Sequence, residues 1–231
     1  MQTVKILVFP GINREHDIAH AFTRIGNAKA DFVWHKDSTI GKADMIVIPG
    51  GFSYGDYLRC GAMAANSPII RDLKDQAAKG VPILGICNGF QILVETGLLA
   101  GALLRNNGLK FICKHVFMRA EGAADLFTAN ITKGDVLRVP IAHGEGNYYA
   151  APDTVKHLND SDLVAFRYCD ANGAVTPESN PNGSVENIAG IFSDNRKILG
   201  MMPHPENAID AFHGGTDGIR LFEGIAAALA A

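Results

Sequence analysis

The chain has 231 residues, of which 47% are hydrophobic and 19% charged, and its formal net charge is −3. This balance lacks the basic footprint of a nucleic-acid-binding protein, and no apolar run reaches the roughly 18 residues of a membrane span. The start of the chain does not resemble a signal peptide, and the four cysteines form no CxxC pair. We therefore expect a soluble, cytoplasmic protein with reduced cysteines, no nucleic-acid or membrane partner, and a single domain over residues 1–231.

Predicted strands and helices alternate over the first hundred residues. Short apolar runs predict strands at 4–8, 31–35, 44–48 and 82–86. Helices are predicted at about 13–26, with Asn13 as N-cap, and at about 67–79 and 88–97. This rhythm favours a mostly parallel sheet with helices on both faces. Ligands of such sheets bind beyond the carboxyl ends of the strands, so the segments at 10–13, 49–52 and 85–88 should converge.

The second half of the chain has a different pattern. Short β-like runs at 111–113 and 136–139 predict antiparallel strands between about 111 and 167. The runs at 188–192 and 197–202 flank a turn signal at 193–196 and predict a hairpin. A final helix is predicted at about 217–230. The fold class is therefore α/β, with a mostly parallel open sheet and a small antiparallel β portion in the C-terminal half.

Cys87 lies in a Gly-x-Cys-x-Gly pattern between a predicted strand and a predicted helix. With serine in the middle, this pattern is the nucleophile elbow of hydrolases. Glycines two residues on either side permit the sharp turn, and a helix N-terminus favours a thiolate. A small buried cysteine between two chance glycines would give the same letters. The other three cysteines lack such a setting, and we interpret them as packing or surface residues.

A thiol nucleophile needs a base and a group that orients the base. His204 and Glu206 follow an apolar strand, and an extended segment would place both side chains on one side. His16 and His20 have the spacing of metal ligands on a helix, but no third ligand is evident and we expect a solvated helix face. His143 lies among glycines, and we keep it as an alternative substrate or interface residue.

The glycine-rich loop at 49–56 resembles a phosphate loop but lacks its Gly-Lys-Ser/Thr ending. We therefore expect no nucleotide, cofactor or metal site in this chain. The backbone N–H groups of Gly51 and Asn88 are predicted to face the carbonyl that Cys87 attacks, as an oxyanion hole. Gly50-Gly51 is also compatible with a plain tight turn after a strand.

Three motifs together resemble the class I, triad-type glutamine amidotransferases. They are Gly85-Ile86-Cys87-Asn88-Gly89-Phe90-Gln91, Pro49-Gly50-Gly51 and His204-Pro205-Glu206. The longer segments at 49–61 and 142–146 look like the glutaminase component of phosphoribosylformylglycinamidine synthase. The resemblance covers nearly the whole chain and implies a flavodoxin-like sheet of the amidotransferase type.

The resemblance implies a role for each matching residue. Cys87 attacks the carboxamide of glutamine and forms a thioester, His204 transfers the protons and Glu206 holds His204. The N–H groups of Gly51 and Asn88 stabilise the oxyanion, and Gln91 binds glutamine. An alternative interpretation of Gln91 is a polar residue in the first turn of a helix.

The resemblance also implies partners. Ammonia passes to a large ATP-dependent synthetase subunit, which binds ATP and magnesium and makes formylglycinamidine ribonucleotide for purine biosynthesis, and a small accessory subunit joins the complex. We expect low glutaminase activity without the synthetase. The loop 53–61 and the segment around His143 are the candidate docking face for that subunit. The alternatives are a stand-alone cysteine hydrolase or peptidase, a non-catalytic interaction subunit, and glutaminases that serve GMP, histidine or pyridoxal phosphate pathways.

Overall fold

A computed structural model describes residues 1–122 and 125–231 of the chain. Its strands and longer helices follow one another in this order: β1 (Thr3–Val8), α1 (Glu15–Arg24), β2 (Lys29–Trp34), β3 (Met45–Ile48), α2 (Ile69–Ala78), β4 (Ile83–Ile86), α3 (Asn88–Glu95), β5 (Ala102–Leu104), β6 (Ile112–Ala120), β7 (Val136–His143), β8 (Asn147–Tyr149), α4 (Pro152–Asp160), β9 (Val164–Cys169), β10 (Ile188–Phe192), β11 (Ile198–Met201) and α5 (Ile219–Ala230).

A nine-stranded sheet forms the centre of the fold, in the order β2-β1-β3-β4-β11-β10-β9-β6-β7. Neighbours from β2 to β11 are parallel, and neighbours from β11 to β7 are antiparallel. A separate two-stranded sheet pairs β5 with β8. The predicted α/β architecture is confirmed, and the antiparallel strands extend the main sheet because β11 pairs with both β4 and β10.

Burial explains why the central strands are apolar throughout. Every residue of β3, β4 and β11 is buried, as expected for parallel strands covered by helices. Phe22 on α1 and Phe222 on α5 meet edge to face with ring centroids 5.2 Å apart, so these two helices pack together. Helix α3 contacts β4 and β11. In the described part of the chain, no helix has the length and apolarity to cross a bilayer.

The start of the first helix differs from the prediction. Helix α1 begins at Glu15, and the residue in the N-cap position is Arg14, without a capping side-chain hydrogen bond. Asn13 instead donates its backbone N–H to the carbonyl of Gly50 at 3.3 Å. The prediction that Asn13 caps the helix was wrong because the chain after β1 forms a bridge to the chain after β3 before the helix starts.

Candidate active site

The segments after β1, β3 and β4 converge at one edge of the sheet, as predicted. Ile12 forms an antiparallel bridge with Gly51, and the backbone N–H of Ser53 donates to Asn88 Oδ1 at 3.2 Å. A Cβ on Gly51 would lie 2.6 Å from the Cα of Ile12. The close approach of these segments therefore needs glycine at position 51.

Cys87 occupies a sharp turn between β4 and α3. Its φ of 51° and ψ of −105° are a strained backbone conformation for a non-glycine residue. A Cβ on Gly85 would meet Leu93 Cδ1 at 2.5 Å, and one on Gly89 would meet the carbonyl oxygen of Ile48 at 1.9 Å. Both glycines are therefore required by the turn, and this geometry confirms the nucleophile elbow as a structural feature.

The four cysteines differ in their surroundings. Cys87 is buried, and its sulfur lies 3.8 Å from the carbonyl oxygen of Ala142. Cys113 is exposed, whereas Cys60 and Cys169 are buried. Burial raises the pKa of the Cys60 thiol far above its usual value and that of Cys169 to about 11. Both buried thiols therefore stay protonated at neutral pH, which makes them poor nucleophiles.

His204 and Glu206 form a buried pair. His204 Nδ1 lies 2.7 Å from Glu206 Oε1, and their side chains are 4% and 0% exposed. The predicted contact is present, but the segment is not extended, because Pro205–Asn207 forms a 3₁₀ turn. A Cβ on Gly50 would lie 2.7 Å from His204 Cε1, so that glycine makes room for the imidazole.

The charge balance around His204 favours the imidazolium. Burial lowers the pKa of His204, but the charges of Glu206 and Cys87 outweigh burial and raise it above its usual value. Glu206 accepts the Nδ1 proton, and Nε2 is buried without another hydrogen-bond partner in the described residues. The ring is therefore oriented by the carboxylate and has a nitrogen available for proton transfer.

The two predicted oxyanion donors have free backbone N–H groups. In the described residues, neither the N–H of Gly51 nor that of Asn88 donates to a protein acceptor. Asn88 is the first residue of α3, so its N–H has no partner within the helix. Its side chain is engaged, because Oδ1 accepts from Ser53 and Nδ2 donates to Gln91 Oε1 at 2.8 Å. Free donors beside a nucleophile are what an oxyanion hole requires.

Gln91 links α3 to the chain after β7. Its Nε2 donates to the carbonyl of Glu145 at 2.7 Å, and its Oε1 accepts from Asn88. The side chain is buried but lines the cavity that contains Cys87. These contacts hold the wall of the cavity in place, and the binding of a substrate by Gln91 stays a prediction.

His143 is deeply buried at the end of β7. Its Nδ1 lies 3.0 Å from Asn106 Oδ1, and the amide of Asn106 donates to the carbonyls of Lys110 and His143. Asn106 Oδ1 is thus an acceptor, which fixes the neutral Nδ1–H tautomer of the histidine. Burial and then the charge of His204 lower the pKa of His143 to about 4.

Gly146, three residues after His143, has a packing role. A Cβ on Gly146 would lie 2.3 Å from His143 Cε1. Gly146 therefore allows the backbone to pack closely against the imidazole, and His143 and Gly144 line the cavity that contains Cys87. Since His143 is only 2% exposed, its side chain is also not part of a docking surface in this structure.

A cavity of about 220 Å³ adjoins Cys87. Gly51 and Gln91 line it as well, and His204 borders a second cavity of about 380 Å³ on the other side of Ala142. The smaller cavity is below the roughly 300–1,000 Å³ of drug-sized ligand sites, so it suits a small metabolite. The described residues contain no group of three or more His, Cys, Asp or Glu side chains that could hold a metal ion.

Charged side chains on the same cavity wall were not recognised from the sequence. Asp56, Arg105 and Glu145 all line it. Asp56 and Glu145 lie in the two segments that we had interpreted as a docking face. Their position beside Cys87 depends on contacts between residues far apart in sequence, such as the hydrogen bond from the N–H of Cys60 to Glu145 Oε2, 85 residues away.

Comparison with known proteins finds relatives that agree with one another in family. Residues 1–216 match the family model of the CobB/CobQ-like glutamine amidotransferase domain. The chain is 52% identical to phosphoribosylformylglycinamidine synthase subunit PurQ of Chlorobaculum tepidum, over 99% of this chain and 97% of the relative. It is 54% identical to the protein of the same name from Roseobacter denitrificans, over 98% of each chain.

Solved structures agree in fold. A chain in the structure of PurLQS from Thermotoga maritima is 40% identical, with a TM-score of 0.86 and coverage of 97% of this chain and 98% of that one. A glutamine amidotransferase from Thermotoga maritima is 17% identical, with a TM-score of 0.57, over 99% of this chain and 94% of that chain. This second likeness concerns the fold alone.

Proposed function

The chain belongs to the family of phosphoribosylformylglycinamidine synthase subunits PurQ, and from this premise we propose that it is the glutaminase of that enzyme. It hydrolyses glutamine to glutamate and ammonia. The ammonia passes to a synthetase subunit that uses ATP to convert formylglycinamide ribonucleotide to formylglycinamidine ribonucleotide in de novo purine biosynthesis. The observation that best supports this proposal is the buried His204–Glu206 pair, which lies beside Cys87 in its strained turn.

In the first half of the reaction, the Cys87 thiolate attacks the side-chain carbonyl carbon of glutamine. The negative charge that develops on the oxygen is stabilised by the N–H groups of Gly51 and Asn88. The C–N bond then breaks, and the nitrogen leaves as ammonia with a proton from the His204 imidazolium. The product bound to the protein is a γ-glutamyl thioester on Cys87.

In the second half, His204 Nε2 removes a proton from water, and the resulting hydroxide attacks the thioester. The C–S bond breaks, and glutamate leaves while Cys87 returns to its starting state. Glu206 accepts the Nδ1–H bond throughout, so it keeps the imidazole oriented and stabilises its positive charge in each half. The net reaction consumes one glutamine and one water and yields one glutamate and one ammonia.

The proposed partners are a small accessory subunit and a large synthetase subunit. A relative of known structure comes from the structure of PurLQS, which supports association with further subunits. ATP and magnesium are assigned to the large synthetase, and this chain is assigned no cofactor. All four cysteines are free, in agreement with the reducing conditions of the cytoplasm, where we place the protein.

The test is the release of glutamate from glutamine by the purified chain, with and without the large synthetase. Cys87→Ala should abolish release, whereas the matched variant Cys113→Ala, at an exposed cysteine, should keep it within about twofold. The synthetase, ATP and formylglycinamide ribonucleotide together should increase the rate. Equal rates with and without the synthetase would contradict coupling between the two proteins, and glutamine left intact in every mixture would contradict the glutaminase.

A further inference from the structure

The cavity beside Cys87 has charged groups of both signs at the end formed by the loop 53–61 and the chain after β7. Asp56, Glu145 and Arg105 line it. Arg105 Nε lies 3.6 Å from Glu145 Oε1, and the backbone N–H of Cys60 is 3.4 Å from Glu145 Oε2. The proposed reaction at Cys87 concerns only the carboxamide end of glutamine, so these groups have no role in the steps given above.

Asp56 carries an unusual combination of strain and unsatisfied hydrogen-bonding capacity. Its φ is +54°, and Tyr54 and Leu58 on either side also have positive φ values of 55° and 69°. Non-glycine residues in this region are strained, and such strain clusters at functional sites. Asp56 Oδ1 is buried without a hydrogen-bond partner in the described residues. A buried carboxylate oxygen without a donor is costly unless a ligand supplies one.

A second carboxylate increases the affinity of this region for a cation. Burial raises the pKa of Asp56, the Cys60 thiol lowers it, and the charge of Glu145 raises it again. The two carboxylates therefore repel each other across the cavity wall. A positively charged group between them would relieve the repulsion and supply the missing donor to Asp56.

Arg105 provides the opposite charge at the same place. Its side chain is 74% exposed, and its contact with Glu145 is longer than a hydrogen bond. Among the described residues the guanidinium makes no other ion pair and donates no hydrogen bond, so its remaining N–H groups are available. A guanidinium binds a carboxylate through two parallel hydrogen bonds.

We propose that Asp56, with Glu145, binds the α-ammonium group of glutamine and that Arg105 binds its α-carboxylate, while the carboxamide lies at Cys87. This assignment rests on the proposed glutaminase function and adds the residues that select the substrate. It makes the site specific for the free amino acid, because a ligand without the ammonium leaves Asp56 Oδ1 without a donor. Asp56 is thus a binding residue, and it takes no part in proton transfer.

The experiment compares glutamine with 4-carbamoylbutanoate, which is glutamine without the α-amino group. Glutamate or glutarate release is measured with the synthetase complex for wild type, Asp56→Asn and the control Asp75→Asn, at an exposed residue of α2. Asp56→Asn should raise the KM for glutamine about 10- to 100-fold, as expected for a lost charge-assisted hydrogen bond. It should leave kcat within about threefold and leave the KM for 4-carbamoylbutanoate unchanged, and Asp75→Asn should behave as wild type.

Alkylation of Cys87 provides a second measurement that does not depend on turnover. Peptide mass spectrometry follows the labelling of Cys87 by iodoacetamide, which has no α-amino group, and by 6-diazo-5-oxo-L-norleucine, which has one. Asp56→Asn should slow labelling by the second reagent about 10-fold or more and leave labelling by the first unchanged, which also shows that the fold is intact.

Arg105→Gln should also raise the KM for glutamine, because the variant loses the contact with the α-carboxylate of the substrate. The assignment is overturned if Asp56→Asn changes the kinetics of both substrates equally, or of neither, while wild type hydrolyses glutamine. Absence of glutamate release from the wild-type complex is a different result, because it overturns the proposed function itself and this assignment with it.

Discussion

We expect His143 to make the stability of the fold depend on pH. The imidazole is buried in its neutral form, with Nδ1 hydrogen-bonded to Asn106 Oδ1 and Nε2 without a partner in the described residues. Protonation inside the fold would place a second positive charge near His204. Burial and this charge hold the pKa of His143 at about 4, whereas an unfolded histidine titrates near about 6.5.

The sign and size of the effect follow from proton linkage. Between these two pKa values the unfolded chain binds more protons than the folded one, so the free energy of unfolding falls as the pH falls. The two values give a loss of about 2.5 kcal/mol between about pH 7.5 and about pH 4.5. Above about pH 7 the histidine is neutral in both states and adds no further pH dependence.

Urea unfolding at a series of pH values measures this loss. His143→Gln removes the titrating group, so its free energy of unfolding should fall less than that of wild type over the same range, by about 2.5 kcal/mol. His16→Gln, at an imidazole that is 83% exposed, should keep the wild-type dependence. If the His143→Gln variant loses as much stability with acid as wild type, the assignment of a depressed pKa to His143 is wrong.

Two further predictions concern the elbow and the orientation of the base. Gly89→Ala would place a Cβ 1.9 Å from the carbonyl oxygen of Ile48 and should lower stability by about 3 kcal/mol in thermal or urea unfolding. Gly108→Ala, with nothing within 4 Å, should change it by less than ~0.5 kcal/mol, and equal effects would contradict the steric argument. Glu206→Gln should lower the pKa of His204 in NMR titrations and reduce glutaminase kcat about 10²- to 10⁴-fold; an unchanged histidine pKa would show that the carboxylate does not hold the charge.

Local features of the chain were predictable because they depend on neighbours in sequence. The alternation of apolar runs and helical segments predicts the parallel half of the sheet, since short-range periodicity reports which faces are buried. The elbow at Cys87 is likewise encoded within five residues, where Gly85 and Gly89 remove side chains that would clash. The convergence of the strand ends then follows from the general geometry of parallel sheets.

Two local interpretations of backbone conformation were wrong. Asn13 is a good N-cap by residue type, but its N–H pairs with Gly50 and the helix starts later. His204 and Glu206 meet as predicted, but through a 3₁₀ turn instead of an extended segment. At Asn13 the partner segment comes from the end of another strand, whereas the turn at 205–207 is closed by local hydrogen bonds from the N–H groups of Asn207 and Ala208.

The sequence by itself thus determined the α/β architecture and the elbow at Cys87, and it singled out the residues expected to act with that cysteine. The tertiary structure alone decided that Asp56, Arg105 and Glu145 share the cavity with Cys87, and that His143 is a neutral buried group fixed by Asn106. The physical reason is the distance along the chain over which each kind of interaction acts. Periodicity and turn chemistry act over a few residues, whereas the burial and mutual repulsion of charges depend on which distant segments the folded chain brings together.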